Sequence, residues 1–386
     1  MTHAVIVISH PVARDRFCGR TLVERHQELL RRAGVDDIRV IAATDLDDQP
    51  ASRDRQQRTL VVTAERLFDP RLYAAALGHD GAVRVTDGGI DVGLEMLRGA
   101  GCAVPIATVR DAAVQDAGSI GSGVAPIPSL DLKSLDPYSR ELRRSLRPYW
   151  MRVASVDDRP EVTRMLVAAS GKGHQDLPAM LINAPLEKAA MRVLANTRVT
   201  PNQLTAFCNL VAYGVAALLA TGHLLSGAVG ALVVGVIDGL DGRQARIQVR
   251  TTPLGRIEHL LDKVYEVLWM VALAYALSGG FANRSYGTAL FVWVAAYALD
   301  TAAYDLVKWR TGSTLDEASR LDALIRLVAG RRNVYACILL AGVLANAPGA
   351  AFRAIVWWSV VTSVVHAARA AMVIRSGRQA CVSLSK

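Results

Sequence analysis

From Val199 to Ile237 the chain carries no Asp, Glu, Lys or Arg, whereas charged residues recur every few positions from Met1 to Arg198. A stretch that long and that apolar needs burial on every side. A bilayer core of about 30 Å, crossed by roughly 20 apolar residues per helix, supplies it. The chain has 386 residues, 52% of them hydrophobic and 20% charged, with mean hydropathy +0.24. Those values fit a water-facing part joined to a membrane part, each long enough to bury a core.

The net charge of +9 sits largely beside the hydrophobic spans, where anionic head groups are the simpler partner. No nucleic-acid partner is expected. Cys18, Cys102, Cys208, Cys337 and Cys381 are scattered, with no CxxC and no His/Cys cluster at zinc spacing, so reduced thiols are expected. The first residues form a short apolar run rather than a basic segment and long apolar core, and read as a strand rather than a signal peptide.

Residues 1–135 alternate strand-like and helix-like stretches. Ala4–Ile8, Ile38–Ala42, Leu60–Thr63 and Pro105–Val109 read as strands, and Thr21–Ala33 as an amphipathic helix closed by Gly34. The expected fold is an α/β domain with a parallel sheet. Residues 136–198 read as a helical linker ending in an amphipathic helix, Pro185–Ala195, at the bilayer surface. Residues 199–386 read as an all-α membrane domain of six transmembrane helices: Gln203–Leu225, Ser226–Leu240, Ile257–Ser278, Ser285–Tyr304, Asn333–Phe352 and Ala354–Ile374. The second, short and ending in aspartates, is expected to run on into water or a polar cavity.

Lys and Arg concentrate in alternate loops. Arg243, Arg246, Arg250 and Arg256 follow the second span; Lys308, Arg310, Arg320, Arg326, Arg331 and Arg332 lie between the fourth and fifth. The opposite loops offer only Arg284 and Arg353. Multi-pass insertion in the cell (inner) membrane, with both termini cytoplasmic, is therefore expected.

The chemistry concentrates in Asp238-Gly-Leu-Asp241-Gly242-Arg-Gln-Ala245-Arg246, then Gly255, then Glu258-His-Leu-Leu-Asp262. Asp238 and Asp241 are three apart, and Glu258 and Asp262 four apart, so each pair shares a helix face. Four carboxylates at membrane depth need cations to offset repulsion and desolvation. Mg²⁺ or Mn²⁺ prefer such oxygens, and two ions could hold a pyrophosphate. Gly242 allows close backbone approach, Ala245 keeps the neighbouring surface clear, and Arg246 offers a phosphate fork. An ion-conducting acidic patch is the alternative reading.

This stretch resembles the signature of the CDP-alcohol phosphotransferase family, DxxDGxxAR, eight residues, G, three residues, D, three residues, D. Asp238, Asp241, Gly242, Ala245, Arg246 and Gly255 match it. Strict counting then reaches His259 and Lys263; a loop one residue shorter places Glu258 and Asp262 at the acidic positions, and cations there would not bind a divalent metal. The resemblance implies metal ligation by Asp238, Asp241, Glu258 and Asp262, with Asp262 as general base on the acceptor hydroxyl. It also implies cytidine or diphosphate contacts from Asn202 and Thr205, with Gly255 in the same nucleotide-binding motif, and a homodimer. Arg331 and Arg332 are placed to hold an acceptor phosphate, although positive-inside anchoring explains them too; Asp300 is placed near an acceptor hydroxyl.

The first 135 residues resemble the sugar-nucleotidyltransferase fold, as in archaeal fusions of a cytidylyltransferase with a di-inositol-phosphate-phosphate synthase. The loop Ser9–Cys18 lacks the glycines that would cradle a triphosphate, so a degenerate domain is expected. The expected reaction moves a phosphoalcohol from a CDP-alcohol to a hydroxyl acceptor with release of CMP. A bifunctional enzyme with an active N-terminal cytidylyltransferase, or a cation carrier, are the alternatives.

Overall fold

The computed structural model describes residues 2–45, 58–98, 127–250 and 254–376. β1 (Thr2–Ile8) is the hub of the N-terminal sheet, because Val5, Ile6 and Val7 are apolar on both faces and nearly fully buried. It pairs in parallel with β2 (Ile38–Ala42) on one side and β3 (Arg58–Thr63) on the other. β4 (Val83–Asp87) and β5 (Ile90–Arg98) form a hairpin through Gly88 and Gly89, at φ 58° and 91°. A two-residue turn with both residues left-handed fits Gly-Gly. β5 lies antiparallel to β3, β6 (Ser129–Asp131) lies parallel to β4, and the order is β2-β1-β3-β5-β4-β6. The sheet is thus mixed, not the parallel sheet expected, because that hairpin reverses the chain without a crossover helix. The expected strand at 105–109 falls outside the described residues.

α1 (Leu22–Arg32) starts at a Thr21/Glu24 capping box and buries Leu22, Leu29 and Leu30. α2 (Pro70–Leu77) is capped by Asp69, and Leu72, Tyr73 and Ala76 join the core beneath the sheet. The linker adds α3 (Arg159–Ala169), then a π-helical turn, Ala179–Asn183, that runs into α4 (Ala184–Leu194). α4 buries Glu187 and Met191 while Leu186 and Val193 point outward, 51% and 71% exposed. Exposed apolar side chains beside the exposed Lys188 and Arg192 suit a helix packed on protein along one side and lying at a lipid boundary along the other.

The C-terminal part is a bundle of α5 (Pro201–Ala220), α6 (Leu224–Ile247), α7 (Leu254–Ser278), α8 (Arg284–Thr311), α9 (Arg320–Val328), α10 (Arg332–Leu344) and α11 (Pro348–Arg375). Among the described residues, five helices are long and apolar enough to cross a membrane, with α9 and α10 together counting as one. α7 is not among them, since Asp262, Lys263 and Glu266 make its first half polar. Leu210, Phe291, Trp309 and Trp357 are all more than 70% exposed on the bundle, which marks a membrane protein. Among the described cysteines, Cys18, Cys208 and Cys337 are free thiols.

Candidate active site

α6 does not stop at its aspartates. It stays helical through Asp238, Asp241, Gly242, Ala245 and Arg246 to Ile247, so the polar turns project from the apolar part as one rod. Asp238 accepts from Arg332 Nη2 at 2.6 Å. Arg332 also donates to the Tyr265 hydroxyl and lies 3.8 Å from Glu266 Oε1. Tyr297 Oη donates to the other Glu266 oxygen at 2.8 Å. Asp241, 3% exposed, accepts from Thr205 Oγ1 on α5 and from the Gly242 backbone N–H. Asn202, beside Thr205 on the first turn of α5, keeps a buried Oδ1 without a hydrogen bond.

A cavity of about 360 Å³ opens at this end of the bundle. Of the residues singled out from the sequence, Asp238, Gly242, Arg246, Asp262, Arg331 and Arg332 line it. Asp241, Thr205 and Asn202 are not in its lining. Asp300 does not line it and is paired with His366 Nδ1 between α8 and α11, within electrostatic reach of Arg331. Glu258 and Gly255 lie on α7, outside the residues whose side-chain surroundings are described. Among the described residues no three His, Cys, Asp or Glu side chains gather into a metal cage.

The linker supplies part of the wall. Arg143, Lys172, His174 and Asp176 line the same cavity. Asp176 receives Asn333 Nδ2 at 3.2 and 3.3 Å, which ties the linker to the first turn of α10. Arg243 Nε donates to Glu187 at 2.7 Å, and both side chains are under 8% exposed. Burial pushes the Glu187 carboxyl up, offset in part by Arg243. A Cβ at Gly239 would sit 2.1 Å from Glu187 Oε1, so a side chain there would displace the carboxylate that Arg243 holds. Arg246 Nε donates to the Ser170 carbonyl at 2.7 Å.

Sequence reasoning missed Glu266, although Glu258, Asp262 and Glu266 recur every four residues and share a helix face. It also missed the linker contribution, and no local pattern announces that.

Residues 198–365 match the CDP-alcohol phosphatidyltransferase family. The C-terminal half is a CDP-alcohol phosphatidyltransferase domain. A protein of Aquifex aeolicus named "Bifunctional IPC transferase and DIPP synthase" is 28% identical over 194 residues, 48% of this chain and 42% of that one. Its namesake in Rubrobacter xylanophilus is 25% identical over 206 residues, 53% of this chain and 45% of that one. The chain thus spans less than half the length of the curated relatives it matches. A crystal structure of Mycobacterium tuberculosis phosphatidylinositol phosphate synthase with CDP-DAG bound is 17% identical, with TM-score 0.39; the match covers 53% of this chain and 99% of that one. In the CDP-alcohol phosphatidyltransferase domain, the DGxxAR stretch runs through the α6 turns that border the cavity.

Proposed function

We propose that this protein transfers a phosphoalcohol group from a CDP-alcohol to a hydroxyl acceptor at the cavity bordered by Asp238, Asp262 and Arg246. The carrying observation is the juxtaposition of Asp238 and Asp262, from two helices, with Arg246, Arg331 and Arg332 around one cavity at the polar end of an apolar bundle. The donor is CDP-diacylglycerol or a CDP-polyol. Asp262 takes the acceptor proton; the freed oxygen bonds to the phosphorus bearing the alcohol; the P–O bond to CMP breaks, and CMP leaves with the electron pair. Asn202, Thr205, Gly242 and Arg246 hold the cytidine diphosphate, and Arg331 and Arg332 face the acceptor.

Asp238, Asp241, Glu258 and Asp262 would hold Mg²⁺ or Mn²⁺. All are hard oxygen donors, and Asp238 already engages a cation, the Arg332 guanidinium. The metal's chemistry there is neutralisation of diphosphate charge. Six spans, insertion in the inner membrane with cytoplasmic termini, and a homodimer belong to the same reading.

The N-terminal domain is a degenerate nucleotidyltransferase-like unit in this proposal. Glu65 accepts from the backbone N–H groups of Ser9 and His10 in the loop after β1. A phosphate-cradling loop needs those donors for its substrate. The word "bifunctional" in the relatives' names favours a second reading, an active N-terminal cytidylyltransferase. CTP-dependent release of pyrophosphate by the full chain would support it.

The deciding experiment screens CDP-alcohol and acceptor pairs for CMP release in nanodiscs with Mg²⁺ or Mn²⁺. Asp262→Asn should abolish release. Absence of both CMP release and CDP-alcohol binding by the wild type would sink the proposal.

A further inference from the structure

The end of the motif helix is built in a way that local structure disfavours. α6 finishes at Ile247, and the backbone N–H of Arg250 returns to the carbonyl of Ala245 at 2.8 Å. That closure places residue 249 in the left-handed region, where helices commonly carry glycine. Here the residue is Val249, at φ 49°. A β-branched side chain takes this conformation only when its surroundings hold it there. Those surroundings are the N-terminal domain. Val249 is 2% exposed and belongs to the same core cluster as Ala4, Ile6, Leu29, Val85 and Met96.

Three further contacts fall on the same turn. Arg25 on α1, 5% exposed, donates Nη1 to the Ile247 carbonyl at 2.5 Å. That carbonyl is one of the last in the helix, with no partner inside it. Gly19 approaches so closely that a Cβ there would sit 3.1 Å from Gln248 Nε2. Ser170, at the end of α3, accepts from Arg246 through its carbonyl. Arg246 stands between the reaction cavity and a second cavity of about 270 Å³, which Arg25, Arg71, Tyr149 and Val249 also line.

We propose that the N-terminal domain is a clamp on the motif helix, with Arg25 and Val249 as positioning residues that fix the last turn and so hold Arg246 at the reaction cavity. The proposal rests on the nucleotide role given above to Arg246. It assigns the domain a function that needs no chemistry of its own. Burial of Val249 offsets the left-handed backbone, and the helix end becomes part of the N-terminal core instead of fraying in solvent.

The test uses the full chain in nanodiscs, with CDP titrated calorimetrically in Mn²⁺ and hydrogen exchange followed over residues 240–247. Val249→Gly relieves the backbone while deleting the buried side chain. A purely local role would leave it as stable as wild type or more so, with unchanged CDP binding. The clamp predicts CDP weakened about tenfold in Val249→Gly and in Arg25→Gln, with faster exchange over 240–247. The Tm of Val249→Gly should stay within about 2 °C of wild type. Arg25→Lys, which can still donate to Ile247, should recover most of the affinity.

Arg246→Gln is the reference. If it loses CDP affinity while Val249→Gly and Arg25→Gln keep theirs, the clamp is overturned. A loss that merely tracks falling Tm and faster exchange throughout the chain also overturns it. If Arg246→Gln binds CDP like wild type, the nucleotide role fails instead. Exchange then decides the clamp, with faster 240–247 in Val249→Gly supporting it and unchanged exchange overturning it.

Discussion

Glu187 and Arg243 show how a single pair couples the linker to the motif helix α6. Both are buried and paired at 2.7 Å. Removing one partner of such a pair typically costs about 3–5 kcal/mol, whereas the neutral isostere keeps a hydrogen bond. Glu187→Ala should therefore lower the thermal midpoint far more than Glu187→Gln, measured by differential scanning fluorimetry. Gly239→Ala should resemble Glu187→Ala, since its methyl group would displace the same carboxylate. His26 carries a pH prediction. Its ring sits between the Tyr73 hydroxyl and the Ala64 carbonyl, and burial pushes it from 6.5 down to about 4. The unfolded chain binds the proton first on acidification. The stability contribution is thus full above pH 6.5 and is lost as pH falls toward 4. Relative to His26→Gln, the wild type should lose on the order of 3 kcal/mol across that window, read as the pH dependence of the difference in unfolding free energy.

At the scale of the element, α4 and the π-helical turn before it have two opposed faces. Glu187 and Met191 turn to the protein, while Leu181, Leu186 and Val193 turn away from it. If the outer face lies in the bilayer boundary, spin labels on Leu181→Cys and Val193→Cys should relax with oxygen. A label on Lys188→Cys should respond to a water-soluble nickel chelate. Equal aqueous accessibility at all three positions would remove the surface helix. The same amphipathic pattern was legible in the sequence, but its register against α6 was not. Periodicity identifies an apolar stripe; it does not say whether protein or lipid covers it.

The whole molecule is organised by charge. The helices alternate between ends rich in Lys and Arg and loops nearly without them; exposed Leu210, Phe291 and Trp357 lie between, and Trp309 sits at a basic end beside Arg310. The proposed cytoplasmic placement of both termini makes a labelling prediction. With exposed native cysteines replaced, Ala345→Cys should react with an impermeant maleimide in intact cells, and Arg310→Cys only after permeabilisation. The reverse pattern would invert the topology.

The uncharged run from Val199, the DGxxAR stretch and the loop asymmetry of Lys and Arg are local signals. They were enough to place the apolar helices and the CDP-alcohol phosphatidyltransferase domain. Spacing also brought Asp238 and Asp262 to notice, and both line one cavity. Tertiary structure alone decided the rest. Asp300 paired with His366, and Arg332 closed on Asp238 from 94 positions away. Helical and strand periods register only neighbours along the chain. The contacts that join the linker and N-terminal domain to α6 arise from packing between segments 56 residues apart, as for Glu187 and Arg243, to 222 apart, as for Arg25 and Ile247, and leave no periodic trace.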